Sequence, residues 1–365
     1  MKLVITTDCF LPRWDGIARF LSELIPRLGM RITVFAPKFP GKLPIYKGVR
    51  ISRFPLVNLQ FGDIHFSKPD KSAMQKAIKD ADIVFNQTIG PVGMAGISIA
   101  RKFNKPVVSY IHSIEWELAK RAIKYPKFLT AWLVKLIARR MYNKCSLLLV
   151  PSKEVEDLLS NNKVKTKMEV VHLGVDVSKF VPPKSKFAAK KRLKLSGKRV
   201  IGFCGRIARE KDLPTLYDAF KQLKLRNTVL LIVGEGLEKE IPSSRNVIRV
   251  GRQDNVVPFL QAMDIFVLPS LTETSSLATM EAMAVGLPVV VTPVGNIREY
   301  VSDGKNGLFF PRQDVKVLAE KLEFLLQHPK SMASLGKTAR KTIVQGYSWN
   351  SAVEKIKKIL STLSG

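Results

Sequence analysis

Apolar positions along the chain recur with two periods. Short runs rich in β-branched residues, KLVITT (2–7), RITVFA (31–36), DIVFNQ (82–87) and PVVSYIHS (106–113), read as buried parallel strands. Between the first two lies a loop, DCFLPRWDG, and then a helical repeat carried by Ile17, Phe20, Leu21, Leu24, Ile25 and Leu28. A glycine-rich helix, GPVGMAGISIARKF (90–103), precedes the fourth strand. Strand–loop–helix–strand order predicts a doubly wound α/β domain, whose ligands sit at the carboxyl ends of its strands. The pattern restarts at RVIGFCGRIAREKDLPTLYDAFKQL (199–223) and continues through TVLLIV, IFVLPS and LPVVVT. Two domains follow, expected at 1–181 and 182–345. A lysine-rich piece, KSKFAAKKRLKLSGKR (184–199), reads as their connection, either a solvated linker with a helix or a contact for something acidic.

The stretch from Pro269 to Pro293 carries the densest candidate chemistry. It predicts a strand end, a loop with Glu273, a helix LATMEAMAV capped by Thr274, Ser275 or Ser276, a stop at Gly286 and another strand. Glu281 falls about five residues inside that helix, on the order of 8 Å along its axis. A helix N-terminus with free N–H groups and partial positive charge seats phosphate. Carboxylates on either side suit a nucleotide-sugar, one for the ribose and one for the sugar. A solvated loop residue at Glu273 and an exposed helix face at Glu281 fit the spacing equally well. Arg206 and Lys211, five apart across the loop after 199–204, have the reach for one diphosphate, or are two surface cations among many. Gly16 opens a helix where backbone can approach a ligand, or simply shapes a turn. His112 stands at a strand's carboxyl end, as a cleft residue or an ordinary core histidine.

Glu273 and Glu281, seven residues apart and followed by AMAVGLPVV, resemble the E-x7-E signature of the retaining glycosyltransferases of family 4. Gly205-Arg206 with Lys211 resembles that family's G-R-x4-K, and Gly174-Val175-Asp176 with Phe180 its domain-exit motif. Two positions depart from it: Ser276 stands where the family usually has glycine, and Ile17 follows Gly16 where a second glycine is usual. The resemblance implies the GT-B fold, two facing Rossmann-like domains with an active cleft between them and a closing helix (346–365) crossing back onto the first. It implies that Arg206, Lys211 and the helix start at Ser275, Ser276 and Leu277 hold the donor's diphosphate. Glu281 would hold the ribose, Gly251 and Arg252 the base, and His112 and Glu273 the sugar, with Gly16 beside the donor. Glu273 would then touch the sugar alone, leaving diphosphate binding indifferent to it. The implied reaction is hexosyl transfer with retention from a UDP- or GDP-sugar to a hydroxyl. A UDP-sugar epimerase of the same fold is the alternative.

Charge adds a partner. Lys and Arg number 60 against 30 Asp and Glu, a net charge of +30, which favours an anionic surface or ligand. Residues 101–144 hold 11 of these cations against Glu115 and Glu117. Lys120, Arg121, Lys124, Lys127, Lys135, Arg139 and Arg140 interleave there with Tyr125, Phe128 and Trp132. A basic amphipathic helix of this kind reads as a dock on anionic lipid or as an ordinary packed helix. With no apolar run of roughly 20 residues, the expected place is cytoplasmic, peripheral at the inner membrane face, acting on a lipid or lipid-linked glycan acceptor. Nucleic acid is the weaker candidate, since no recognition motif or base-stacking aromatic cluster accompanies the charge. Cys9, Cys145 and Cys204 are isolated and the four histidines lack ligand spacing, so neither a disulfide, a metal nor another cofactor is expected.

Overall fold

A computed structural model describes residues 1–13, 15–43, 45–61, 64–122, 127–237, 241–273 and 275–364. The chain divides into two compact units, Met1–His172 with Ala352–Gly365, and Leu173–Ser351. The division falls at 172/173 where the sequence suggested 181/182. Val175 and Phe180 of the exit motif are the reason: both are buried in the second unit's core.

The first unit contains strands β1 (Lys2–Thr6), β2 (Arg31–Pro37), β3 (Val49–Phe54), β4 (Leu56–Phe61), β5 (Ile64–Ser67), β6 (Ile83–Asn86), β7 (Val107–Tyr110), β8 (Leu147–Val150) and β9 (Met168–Val170). Seven of them form a parallel sheet in the order β3-β2-β1-β6-β7-β8-β9, while β4 and β5 pair antiparallel. Its helices are α1 (Gly16–Leu28), α2 (Lys71–Asp80), α3 (Pro91–Lys102), α4 (Glu115–Ala122), α5 (Lys127–Tyr142) and α6 (Lys153–Asn161). Phe20, Leu21, Leu24, Ile25 and Leu28 of α1 are buried, as their period requires. Asp15 caps that helix by accepting from the Ala18 N–H at 2.8 Å, and Gly29 ends it in the left-handed conformation.

The described residues of the basic stretch 117–144 include two helices, α4 and α5. The Tyr142 hydroxyl, at the end of α5, donates to the Glu115 carboxylate at the start of α4 and ties the pair together. Burial pushes the Glu115 carboxyl up to about 7.

The second unit contains α7 (Lys186–Arg192), β10 (Arg199–Cys204), α8 (Leu213–Gln222), β11 (Thr228–Val233), β12 (Val247–Arg249), α9 (Val257–Ala262), β13 (Ile265–Leu268), α10 (Leu277–Ala284), β14 (Val289–Val291), α11 (Ile297–Tyr300), β15 (Leu308–Phe309), α12 (Val315–Gln327) and α13 (Pro329–Gly346). Its six strands are parallel in the order β12-β11-β10-β13-β14-β15. A last helix, α14 (Trp349–Ser364), belongs to the first unit from Ala352 onward and buries Val353, Ile356 and Leu360 there.

The lysine-rich piece at 184–199 is anchored, not loose. Lys186 donates to the carbonyls of Gln261 and Met263, and Lys190 pairs with Asp264 at 2.6 Å. These two lysines satisfy the carbonyls at the end of α9 and the carboxylate before β13, so their charge is spent on the fold.

Candidate active site

In a parallel sheet the ligand crevice opens outside the carboxyl ends of the strands where the order reverses. In the second unit that point lies between β10 and β13. The loop after β10 carries Gly205 and Arg206 and a single 3-10 turn, Arg209–Lys211, before α8. The loop after β13 carries Ser270 and Glu273 and leads into α10. Parallel pairing of β10 with β13 brings both loops to the same end of the sheet.

There the Lys211 ammonium and the Glu273 carboxylate are in direct contact, with 18% and 8% of their side chains exposed. The Ser270 hydroxyl donates to the same carboxylate oxygen at 2.8 Å. Glu273, expected to act apart from the diphosphate-binding residues, is thus in direct contact with one of them, Lys211. Arg206 is held in turn by Glu210, four residues on, though its own side chain is 68% exposed. The Leu271 N–H donates to the Glu210 carbonyl at 2.8 Å and joins the two loops.

Ser276 caps α10, its hydroxyl accepting from the Thr279 N–H at 3.3 Å. The N–H groups of Leu277 and Ala278 begin the helix. Asn296 donates to the Ser275 hydroxyl at 3.0 Å, and the Tyr300 hydroxyl to the Ser276 carbonyl at 3.3 Å. Thr274 lies outside the described residues. Glu281 is 2% exposed, which rules out the exposed-face reading and places a carboxylate in the helix interior. Gly295 packs against the backbone of Glu273, whose carbonyl would be 2.0 Å from any Cβ there, so the loop after β14 fixes the Glu273 loop.

Gly251, at φ +66°, begins the loop after β12, and its carbonyl accepts from the Gly234 N–H at 2.8 Å. Gly234 itself must be glycine because a Cβ would stand 1.9 Å from the Gly205 carbonyl oxygen. This close approach supports the loop that carries Arg206. Arg252 approaches Glu235 at 3.8 Å, both well exposed.

In the first unit the order reverses between β1 and β6. Asp8, just past β1, is buried and accepts from the N–H groups of Val92 and Gly93 at 2.9 and 3.1 Å and from the Thr88 hydroxyl at 2.6 Å. It thus caps α3 from another loop. Gln87, just past β6, meets His112 at 2.9 Å between its Oε1 and the ring Nε2. With the amide oxygen as acceptor, Nε2 carries the proton and Nδ1 keeps its lone pair. The rings of Tyr110 and Phe20 stand 4.6 and 4.8 Å from the imidazole. Burial among them pushes the His112 pKa down to about 3, so the ring is neutral at physiological pH. Gly16 begins α1 with open space where a side chain would stand.

Asp8, Gln87, Glu210, Ser270 and Gly295 were not read from the sequence. Glu210 and Ser270 are local to the residues they bond, four positions from Arg206 and three from Glu273; Asp8, Gln87 and Gly295 are joined to theirs by tertiary pairing alone.

The family described as Glycosyltransferase Family 4 matches residues 14–179, and that described as Glycosyl transferases group 1 matches residues 185–342. The chain belongs to the family 4 glycosyltransferases. An α-monoglucosyldiacylglycerol synthase of Acholeplasma laidlawii is 26% identical, over 93% of this chain and 92% of its own. A GDP-mannose-dependent α-mannosyltransferase of Mycolicibacterium smegmatis is 26% identical over 84% of each. The structure of HepE from Anabaena, solved in complex with UDP-glucose, superposes with a TM-score of 0.81 at 17% identity, covering 99% of this chain and 100% of that one. The glycosyltransferase has the GT-B fold, with two Rossmann-like α/β units.

Proposed function

We propose that the glycosyltransferase moves a hexosyl group from a UDP- or GDP-sugar to a hydroxyl of a lipid or lipid-linked glycan, with retention of configuration. The observation that carries this reading is the contact between Lys211 and Glu273 at the second unit's switch point. One side chain there suits a diphosphate, the other suits sugar hydroxyls, and in the free enzyme each neutralises the other. A bound diphosphate takes Lys211 from Glu273 and Arg206 from Glu210. The freed Glu273 carboxylate then accepts from the sugar's hydroxyls. The N–H groups at the start of α10 take part of the phosphate's charge, and Glu281 receives the ribose.

As the bond between the anomeric carbon and the phosphate oxygen breaks, charge grows on the leaving group, where Arg206, Lys211 and the helix start stabilise it. The acceptor oxygen bonds to the anomeric carbon on the face that the phosphate leaves, and its proton passes to the departing phosphate oxygen. His112, neutral with Nδ1 free to accept, recognises a donor-sugar hydroxyl and takes no proton.

The acceptor class is supported by the diacylglycerol named for the Acholeplasma relative and by α5. Its inward face is Ala131, Val134, Ala138 and Tyr142, which leaves Leu129, Trp132, Leu133 and Ile137 between 38% and 63% exposed. Arg140 is exposed beside them, and Lys135 and Arg139 are half-buried. Lys124 lies outside the described residues, as do the side chains of Lys120, Arg121 and Lys127. No described helix is long and apolar enough to cross a membrane, so this face supports peripheral docking on an anionic leaflet, at the cytoplasmic side.

Thermal-shift titration with UDP- and GDP-sugars tests the donor. A ligand at 100 times its Kd adds about 2.7 kcal/mol. No stabilisation by any of them, or sugar isomers appearing without acceptor, overturns the transfer reading.

A further inference from the structure

Beside the exposed apolar stripe of α5 runs a groove that nothing above uses. Its floor is the row Trp132, Lys135, Leu136 and Arg139, spaced as one face of a helix, against the end of α6. It has two adjoining lobes, both lined by Trp132 and Lys135. The larger, about 350 Å³, lies against Trp116, Ala131 and Leu158. The smaller, about 240 Å³, is closed by Arg139, Asn161, Asn162 and Lys163. Lys135 stands 5.9 Å from the centre of the Trp116 ring, at the join between aromatic and cationic surface.

The lobes differ in chemistry. Three cations and two amides surround the smaller; two indoles, an alanine and a leucine dominate the larger. Glu117, in the larger lobe, is the sole carboxylate among the described lining residues. A volume of about 350 Å³ is at the small end of the range for ligand pockets, roughly 300–1,000 Å³. An occupant with an anionic head and an apolar continuation matches this order of surfaces. A free phosphate would leave the indole-lined lobe empty.

The groove's position selects the source. Leu129, Leu133 and Ile137 form the adjacent exposed row, and Trp132 belongs to both rows. Where that row enters the acyl region of a leaflet, the groove opens at headgroup depth. We infer that the groove is a binding site for one anionic phospholipid, its phosphate between Arg139, Lys163 and Lys135 and its glycerol and first methylenes along Trp132 and Trp116. The site rests on the docking reading above and sharpens it: a diffuse basic face counts charges, whereas a built site distinguishes neighbours on the same helix.

The test compares co-sedimentation with vesicles of phosphatidylcholine alone and with phosphatidylglycerol added, for the wild type and for Arg139→Gln, Lys163→Gln and Arg140→Gln. Each change removes one positive charge, but Arg140 does not line the groove. A diffuse surface loses about fivefold in partitioning for any of the three. The groove predicts losses of tenfold or more for Arg139→Gln and Lys163→Gln, and for Arg140→Gln no more than the roughly fivefold of a diffuse surface charge. Equal losses at all three positions overturn the groove and leave docking standing. Indifference of the wild type to phosphatidylglycerol overturns both. Soluble short-chain phosphatidylglycerol, titrated below its micelle concentration, is expected to bind saturably and more tightly than glycerol 3-phosphate; equal affinity for the two rejects the apolar half of the site. Unchanged melting temperatures of the three variants show that the losses are not unfolding.

Discussion

The two units place polar side chains at the same topological point and treat their charge in opposite ways. At the reversal between β1 and β6, the charged group is spent: Asp8 accepts three hydrogen bonds from the loop and helix that it caps. Gln87, past β6, holds His112, which follows β7 and is kept neutral beside two rings. At the reversal between β10 and β13, the groups are ions in pairs, Arg206 with Glu210 and Lys211 with Glu273. A shelf whose charge is already hydrogen-bonded offers shape and hydrogen bonds. Paired ions offer exchange, because an incoming anion replaces one partner without leaving a cation bare. One topology thus carries hydrogen-bonded groups in one unit and ion pairs in the other, and the difference lies in a handful of side chains.

The sharpest way to break this contrast is Glu273→Gln. Turnover should fall by at least a hundredfold, about 2.7 kcal/mol of barrier. Nucleoside diphosphate should bind several-fold more tightly, because Lys211 loses its competing carboxylate. Calorimetry with UDP and GDP beside steady-state rates separates the two effects. A variant keeping more than about a tenth of its turnover, or binding diphosphate more weakly, would show that the pair is structural.

Next in size are the cations. Lys211→Ala and Arg206→Ala should each remove about 2–4 kcal/mol of transition-state stabilisation, read from kcat/KM. Lys211 should cost more, since its side chain is much the less exposed. Equal wild-type affinity for nucleoside monophosphate and diphosphate would contradict a clamp.

In the first unit the expected losses are in stability. Asp8→Asn leaves an N–H or hydroxyl donor of the α3 cap facing an amide nitrogen, for about 1–3 kcal/mol, visible as a melting temperature several degrees lower. An unchanged melting temperature would mean that the cap is dispensable.

The smallest effect is a slope. The folded chain holds His112 neutral down to about pH 3, while the unfolded chain protonates it near 6.5. Between those values the unfolded state binds more protons, so stability falls as pH drops from about 6.5 towards 3. The slope has a ceiling of about 1.4 kcal/mol per pH unit. His112→Gln should flatten that part of the profile in denaturant titrations between pH 6 and 4. An unaltered slope would show that His112 is solvated in the folded state.

Much of this was legible in the chain. Strand and helix periods gave two doubly wound units because buried parallel strands need unbroken apolar runs and their covering helices need one apolar stripe. The E-x7-E and G-R-x4-K spacings named Glu273, Glu281, Arg206 and Lys211, since those residues are close along one or two loops. Charge was the least legible property. Lys186 and Lys190 looked like part of a solvated basic linker and are bonded to Asp264 and the end of α9, whereas α5 keeps apolar residues outside among its cations. Nothing local distinguishes a lysine that caps carbonyls from one that faces solvent. The same holds for Asp8 on α3, Gln87 on His112, Gly295 under Glu273, and the contact of Lys211 with Glu273. These join residues dozens of positions apart, and sheet order alone brings them together. The sequence by itself determined which chemical groups and which local elements exist; the tertiary structure decided which charges neutralise one another, because electrostatic pairing depends on distance in space and is invisible to spacing along the chain.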